Sequence, residues 1–399
     1  MSIRTDVWTK SAVLDIKGYL DTIPISSEAG MLNGLAGIVL FYWYIAKSIP
    51  GLDVEERFDE LTSYLQKAYR AELPCTVDRG LPGVASVLEL ILQEQGDSNN
   101  IDYNCGVDTA LLARVSVEAW DGELEFVQGL AGIAMYAARR ARVGRCHALY
   151  AKIIDLFDIS ATRFGGDQLA WATPSSSRYL LQDDGKVEFN LSLAHGTPAV
   201  IASLIPAIEM TVAKLKVSRL VRSGCLWLLN QADWDASHGS IFSTVAGASK
   251  CSRLGWCYGD LGIAVTLARA AIALGDEELK LAAQKIGAHA AGRTTAEAAQ
   301  AQDAGLCHGV SGIALMFDIL SSSLGGDVEL TAAADRWWTV LRGNYLKSGL
   351  TAFDALLPVG EARQFVPNAG FLVGYAGVGL AIMSMQARET PWRDLLLLG

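Results

Sequence analysis

The feature that most constrains this chain is a short segment that occurs seven times in its 399 residues. Gly-x-x-Gly, with alanine as the second small residue once, leads into an apolar run at Gly34, Gly80, Gly129, Gly196, Gly259, Gly309 and Gly374. The intervals run from 46 to 67 residues, each long enough for two helices and their connections. The runs after the glycines, such as "GLAGIVLFYWYIA" at 34–46, are apolar nearly all round, which suits helices buried on both sides. The stretches between them, such as "VEERFDELTSYLQKAYRAE" at 54–72 and "DEELKLAAQKIGAHAAGR" at 276–293, have helical periodicity and a charged face, and predict outer helices. Glycine at each inner-helix entrance permits a tight turn and close helix approach.

A row of helix pairs either stays open, with polar caps on its end repeats, or closes on itself. The last repeat, "GFLVGYAGVGLAIM" at 370–383, is among the most apolar, so the expected fold is all-α and closed, an α/α toroid formed by residues 1–399 as one domain. Only the polar insertion at 164–190 reads as a strand hairpin or flap; its Phe164, Trp171 and Tyr179 would suit a grip on a peptide. The apolar runs are too short to span a bilayer, and the first ten residues lack the apolar core of a signal peptide, so a cytoplasmic protein is expected. A net charge of -10 with no basic stripe argues against a nucleic-acid surface. Seven cysteines in a chain without a signal predict free thiols, some of them metal-bound, and no disulfide framework.

If the repeats are equivalent, residues at matching positions gather on one rim. Immediately before the first glycine stand Asn33, Arg79, Gln128, His195, Tyr258, His308 and Val373; one position earlier stand Leu32, Asp78, Val127, Ala194, Cys257, Cys307 and Leu372. The reactive residues therefore concentrate in repeats four to six. Cys257, Cys307 and His308 form the ligand set of a zinc site that keeps a fourth position open. His195 on the same rim is either a hydrogen-bonded helix-entrance histidine or, beside a metal, a general acid or base. Arg253, four residues before Cys257, would stabilise an oxyanion in a cleft. Cys75, Cys105, Cys146, Cys225 and Cys251 lie outside the register and are expected to be buried or inert. His147, His238 and His289 fit outer helices or loops.

These residues resemble the LanC-type lanthipeptide cyclases, the lanthionine synthetase C-like family. The likeness runs over nearly the whole chain, through seven glycine repeats and "AHG" at 194–196, "WCYG" at 256–259 and "CHG" at 307–309. It implies seven inner and seven outer helices, with one zinc held by Cys257, Cys307 and His308. The reaction it implies adds a peptide cysteine thiolate to dehydroalanine or dehydrobutyrine, giving a thioether ring. By the same likeness, His195 protonates the enolate that forms, and Arg253 and Tyr258 position and stabilise it. The family pattern has an aspartate where this chain has Glu125, expected to assist thiol deprotonation or orient the histidine. The implied partners are a precursor peptide of leader and core, already dehydrated, and a separate dehydratase and exporter at the membrane.

Three other readings fit parts of the pattern. A relative could join glutathione or another small thiol to activated alkenes. A zinc-dependent prenyltransferase toroid would use an aspartate, a cysteine and a histidine. A peptide-binding scaffold would close its zinc with a fourth protein ligand, for which His195 is the candidate.

Overall fold

The computed structural model describes residues 7–25, 28–68, 73–96, 102–174, 187–236, 239–387 and 390–399. Each glycine segment opens an inner helix: α2 (Leu35–Ser48), α4 (Leu81–Gln95), α6 (Leu130–Arg142), α8 (Thr197–Glu209), α10 (Asp260–Leu274), α13 (Val310–Ser323) and α15 (Tyr375–Ser384). Between them run outer helices α1 (Val7–Leu20), α3 (Glu55–Ala68), α5 (Cys105–Val115), α7 (His147–Ser160), α9 (Lys214–Leu229), α11 (Glu277–Ala291) and α14 (Val328–Ser348), with a one-turn helix α12 (Ala296–Ala299) before repeat six. Each inner helix packs against the next, and α15 packs against α2, so the ring closes as an α/α toroid. Both long apolar runs are buried in it, as α2 and α15, and no helix among the described residues is long and apolar enough to cross a membrane.

The inner helices have no side-chain cap at their first turn. In every repeat but the fifth the leading amide is satisfied instead by the preceding loop. Leu35 N–H reaches Glu28 O at 2.8 Å, Leu81 reaches Pro74 O at 2.8 Å, Thr197 reaches Asn190 O at 3.1 Å, Val310 reaches Asp303 O at 2.9 Å and Tyr375 reaches Asn368 O at 2.8 Å. The accepting carbonyl is six residues before the first glycine each time. It lies so close to that glycine that an added Cβ would stand 1.9 Å from Pro74 O at Gly80 and 2.0 Å from Asn190 O at Gly196. Gly259 is the exception in conformation, at φ +120°, where the other first glycines are extended. Two of the outer helices, α11 and α14, use side-chain caps: Asp276 accepts from the amides of Glu278 and Leu279, and Asp327 from those of Glu329 and Leu330.

Hydrogen bonds between neighbouring loops run around the rim. Val77 donates to Val127 O, Phe126 to Ala194 O, Trp256 to Cys307 O, Cys307 to Leu372 O and Leu372 to Leu32 O, at 2.8–3.1 Å. Every acceptor stands two residues before a first glycine, the position that carries the two register-matched cysteines.

Two insertions add strands. The first holds β1 (Thr162–Phe164) paired with β2 (Gln168–Ala170), then β3 (Thr173–Pro174) paired with β4 (Val187–Glu188); residues 175–186, including Tyr179, lie outside the described residues. The expectation that Trp171 grips a peptide is corrected: its ring is buried edge-on to Phe157, and its indole N–H donates to Phe157 O at 2.8 Å. Phe164 stays partly exposed, in a cluster with Phe189 and Trp227. The second insertion, β5 (Ala355–Val359) paired with β6 (Ala362–Val366), was not foreseen. Its signal was Gly-Glu at 360–361 between two strand-forming runs, with Gly360 at φ +62°, a two-residue hairpin turn.

A side chain at Gly80 should cost about 1–3 kcal/mol, because the loop carbonyl that fills its place also holds the helix start. Gly343 lies exposed in α14 with nothing within 4 Å of the place where a Cβ would stand, so alanine there should stabilise by roughly 0.5–1 kcal/mol. Urea denaturation of Gly80→Ala and Gly343→Ala checks both signs; equal shifts would refute the crowding at the repeat glycine.

Candidate metal and proton-transfer site

Cys257 and Cys307 sit on adjacent rim loops joined by the Trp256 and Cys257 amides, which share the carbonyl of Cys307 at 2.8 and 3.2 Å. Gly255 makes the approach possible: a Cβ there would stand 3.1 Å from Cys307 O and 3.3 Å from His308 Cα. The outcome is a cluster in which ligand atoms of Cys257, Cys307 and His308 all lie within 4.8 Å of one another. Both thiols are buried. Among the described residues this is the one such cluster of three or more metal-binding side chains, and His195 is outside it.

The donors fit zinc. His308 Nδ1 is buried without a hydrogen-bond partner, an expense that a metal ligand bond would relieve. The two thiols titrate as a pair. A hydrogen bond from Cys307 holds the Cys257 thiol well below its usual range, helped by the neighbouring His308 and Arg253, while the same bond and burial push Cys307 up. Two soft sulfurs and an imidazole make a three-ligand set that leaves a fourth tetrahedral position open.

Beside the cluster, His195 Nδ1 lies 2.6 Å from Glu125 Oε2. The same carboxylate accepts the amides of Val127 and Gln128, so Glu125 is fixed by its own loop while it holds the imidazole. Of its two expected roles, the geometry provides the orienting contact with the histidine. The ring of Tyr258 lies 6.2 Å from that of His195, and its hydroxyl accepts from Asn190 Nδ2 at 3.0 Å. Burial pushes the Tyr258 phenol up. Arg253 is half-buried, lowers the charge cost of both thiolates, and makes no ion pair or side-chain hydrogen bond among the described residues.

Asn190 and Asp303 escaped the reading of the sequence. Both occupy the position six before the first glycine, as do Glu123 and Arg253, so one further column of the register would have found them. Of the cysteines outside the register, Cys225 is buried and its thiol is pushed up by desolvation, and Cys146 is pushed up to about 12. Cys105 and Cys251 are exposed, so of the two expectations, buried or inert, burial does not hold for them. His147 opens α7 and His289 lies on α11 with Nε2 3.1 Å from Ala236 O; His238 lies outside the described residues.

Glu123 carries a consequence for stability. Its Oε2 is buried without a partner, and burial, then the charge of Glu125, raises its pKa. A carboxyl raised in the folded state costs stability above its folded pKa, and that cost disappears as pH falls below the ordinary glutamate value. Glu123→Gln should therefore unfold at higher denaturant than the parent at pH 7, with the gain shrinking toward pH 4; a gain independent of pH would contradict the cause given.

Comparisons with known proteins follow the same outline. A solved structure titled nisin cyclase matches with a TM-score of 0.74 at 17% identity, over 98% of this chain and 96% of that chain, which bears on the fold. No curated protein matches the sequence. The family model described as lanthionine synthetase C-like protein matches residues 26–397. The chain therefore belongs to the lanthionine synthetase C-like family.

Proposed function

We propose that the protein is a zinc-dependent cyclase that closes thioether rings in a dehydrated precursor peptide. The observation that carries this reading is the convergence of two buried thiols and an unpartnered imidazole nitrogen beside a carboxylate-held histidine and an arginine without an ion pair among the described residues. Zinc held by Cys257, Cys307 and His308 would offer its fourth position to a peptide cysteine and favour that cysteine's thiolate at neutral pH.

The remaining work falls to side chains of this protein. Addition forms a bond from sulfur to the β-carbon of the dehydro residue, and the alkene's electron pair moves through the α-carbon onto the carbonyl as an enolate. Arg253, with no carboxylate among the described residues to neutralise it, stabilises that oxygen. Tyr258, held through its hydroxyl by Asn190, orients the acceptor. His195 delivers a proton to the α-carbon, and Glu125 at Nδ1 stabilises the imidazolium that makes this delivery possible. The proton lost from the peptide thiol and the proton gained at carbon balance.

The peptide would arrive from a separate dehydratase. The family match supports a peptide substrate, and the nisin cyclase likeness supports a toroid that presents its rim to one.

His195→Ala is the discriminating variant. With a synthetic dehydrated peptide, free thiol counted by alkylation and mass spectrometry should disappear about 10²–10⁴-fold more slowly than with the parent, while zinc content stays unchanged. Loss of zinc from the variant would make His195 a ligand and favour the scaffold reading. Faster addition of glutathione than ring closure by the parent protein would move the assignment to a small-thiol transferase.

A further inference from the structure

The loops of repeats four, six and seven share a turn. Asn190 Oδ1 accepts the amide of Ser192 at 2.9 Å, Asp303 Oδ1 that of Gly305 at 3.1 Å, and Asn368 Oδ1 that of Gly370 at 2.8 Å. An asparagine does this backbone work in two of the three, so the turn itself does not require the charge at residue 303. The charged oxygen is engaged elsewhere. Asp303 Oδ2 lies 3.6 Å from His308 Nε2 and accepts the amide of Leu356 on β5 at 3.3 Å. The side chain is buried, so this charge is not spent on water.

We infer that Asp303 is a positioning residue for His308: its carboxylate faces Nε2, and the Leu356 amide of the β5–β6 hairpin holds that carboxylate in place. The inference rests on the zinc reading above. The two imidazole nitrogens have different surroundings, Nε2 toward a carboxylate and Nδ1 buried without a partner. A ring that gives Nδ1 to a metal carries its proton on Nε2, where the negative charge of Asp303 favours it. At 3.6 Å the contact is electrostatic and longer than a hydrogen bond. The hairpin thereby becomes part of the metal site's support. Leu356 pairs with Phe365 across the hairpin, yet its amide points away from the ladder to Asp303, and Arg363 on β6 adds a bond to Gln302 beside it at 3.3 Å.

Asp303→Asn separates the two functions of the side chain, because it keeps an oxygen for Gly305 and removes the charge. Zinc affinity, measured by competition with a chromophoric chelator, should fall about 10–100-fold. The visible spectrum of the cobalt-substituted protein should change with it, while the thermal melt of the metal-free protein stays close to the parent. Leu356→Pro removes the hairpin's amide and leaves Asp303 intact; a several-fold loss of zinc affinity is expected. Parental affinity and an unchanged cobalt spectrum in Asp303→Asn overturn the inference. Should that variant fail to fold, parental affinity in Leu356→Pro overturns it. Cys307→Ala, run in parallel, keeps the two levels apart. A parent that binds zinc, a Cys307 variant that does not, and an unaffected Asp303 variant together defeat this inference alone, whereas a parent without zinc affinity defeats the metal reading with it.

Discussion

The structure depends on a carbonyl oxygen placed where a side chain would otherwise begin. Six residues before the first glycine the loop doubles back, and in every repeat but the fifth its carbonyl accepts the leading amide of the inner helix; it also fills the Cβ position of the glycine in repeats such as those of Gly80, Gly196 and Gly374. A helix start normally needs a capping side chain for its unpaired amides. Here the backbone supplies that function, which frees the loop side chains for other purposes. The same loops then join edge to edge through the carbonyls two residues before the glycine. The ring is therefore held at its rim by main-chain bonds whose geometry does not depend on which side chains are present.

That independence explains how a repeated frame carries an unrepeated site. The position that is Leu32 or Leu372 in some repeats is Cys257 and Cys307 in adjoining ones, and the backbone bond from Cys257 and Trp256 to Cys307 sets their separation. To the proposed site repeat three would contribute Glu125, repeat four His195 and Asn190, repeat five Arg253, Cys257 and Tyr258, and repeat six Asp303, Cys307 and His308. The C-terminal residues brace the inner side of this arc. Trp256, next to Cys257, donates its indole N–H to Leu396 O at 2.8 Å, and Arg269 on α10 reaches Leu397 O at 2.6 Å. Cys257 thus lies between a neighbouring loop and a filled interior, which favours a ligand geometry that exists before any metal arrives.

Much of this was legible in the sequence because glycine repeats report backbone constraints directly. The inner helices followed from the glycine spacing, their burial and the closed ring from the apolar runs behind the glycines, and the approach of Cys257 to Cys307 and His308 from the shared register. What escaped was set by contacts between distant segments. The β5–β6 hairpin had a turn signal, but its tie to Asp303 spans 53 residues and has no local signature. Trp171 read as an aromatic suited to grip a peptide because it stands in a polar insertion, whereas its partner Phe157 comes from the preceding outer helix. Glu125 offered two roles that differ by which atom its carboxylate meets, and only the fold could bring it to His195 Nδ1. Glu125 is anchored by its own loop, whose Val127 and Gln128 amides hold its carboxylate.

X-ray absorption at the zinc edge of the purified, reduced protein tests the central claim most directly. An open site built from Cys257, Cys307 and His308 predicts two sulfur ligands, one imidazole nitrogen and one exchangeable light atom that is replaced by a third sulfur when a cysteine-containing peptide is added. A zinc shell closed by a fourth protein ligand and indifferent to added thiol, or a folded protein that takes up no zinc, would contradict it.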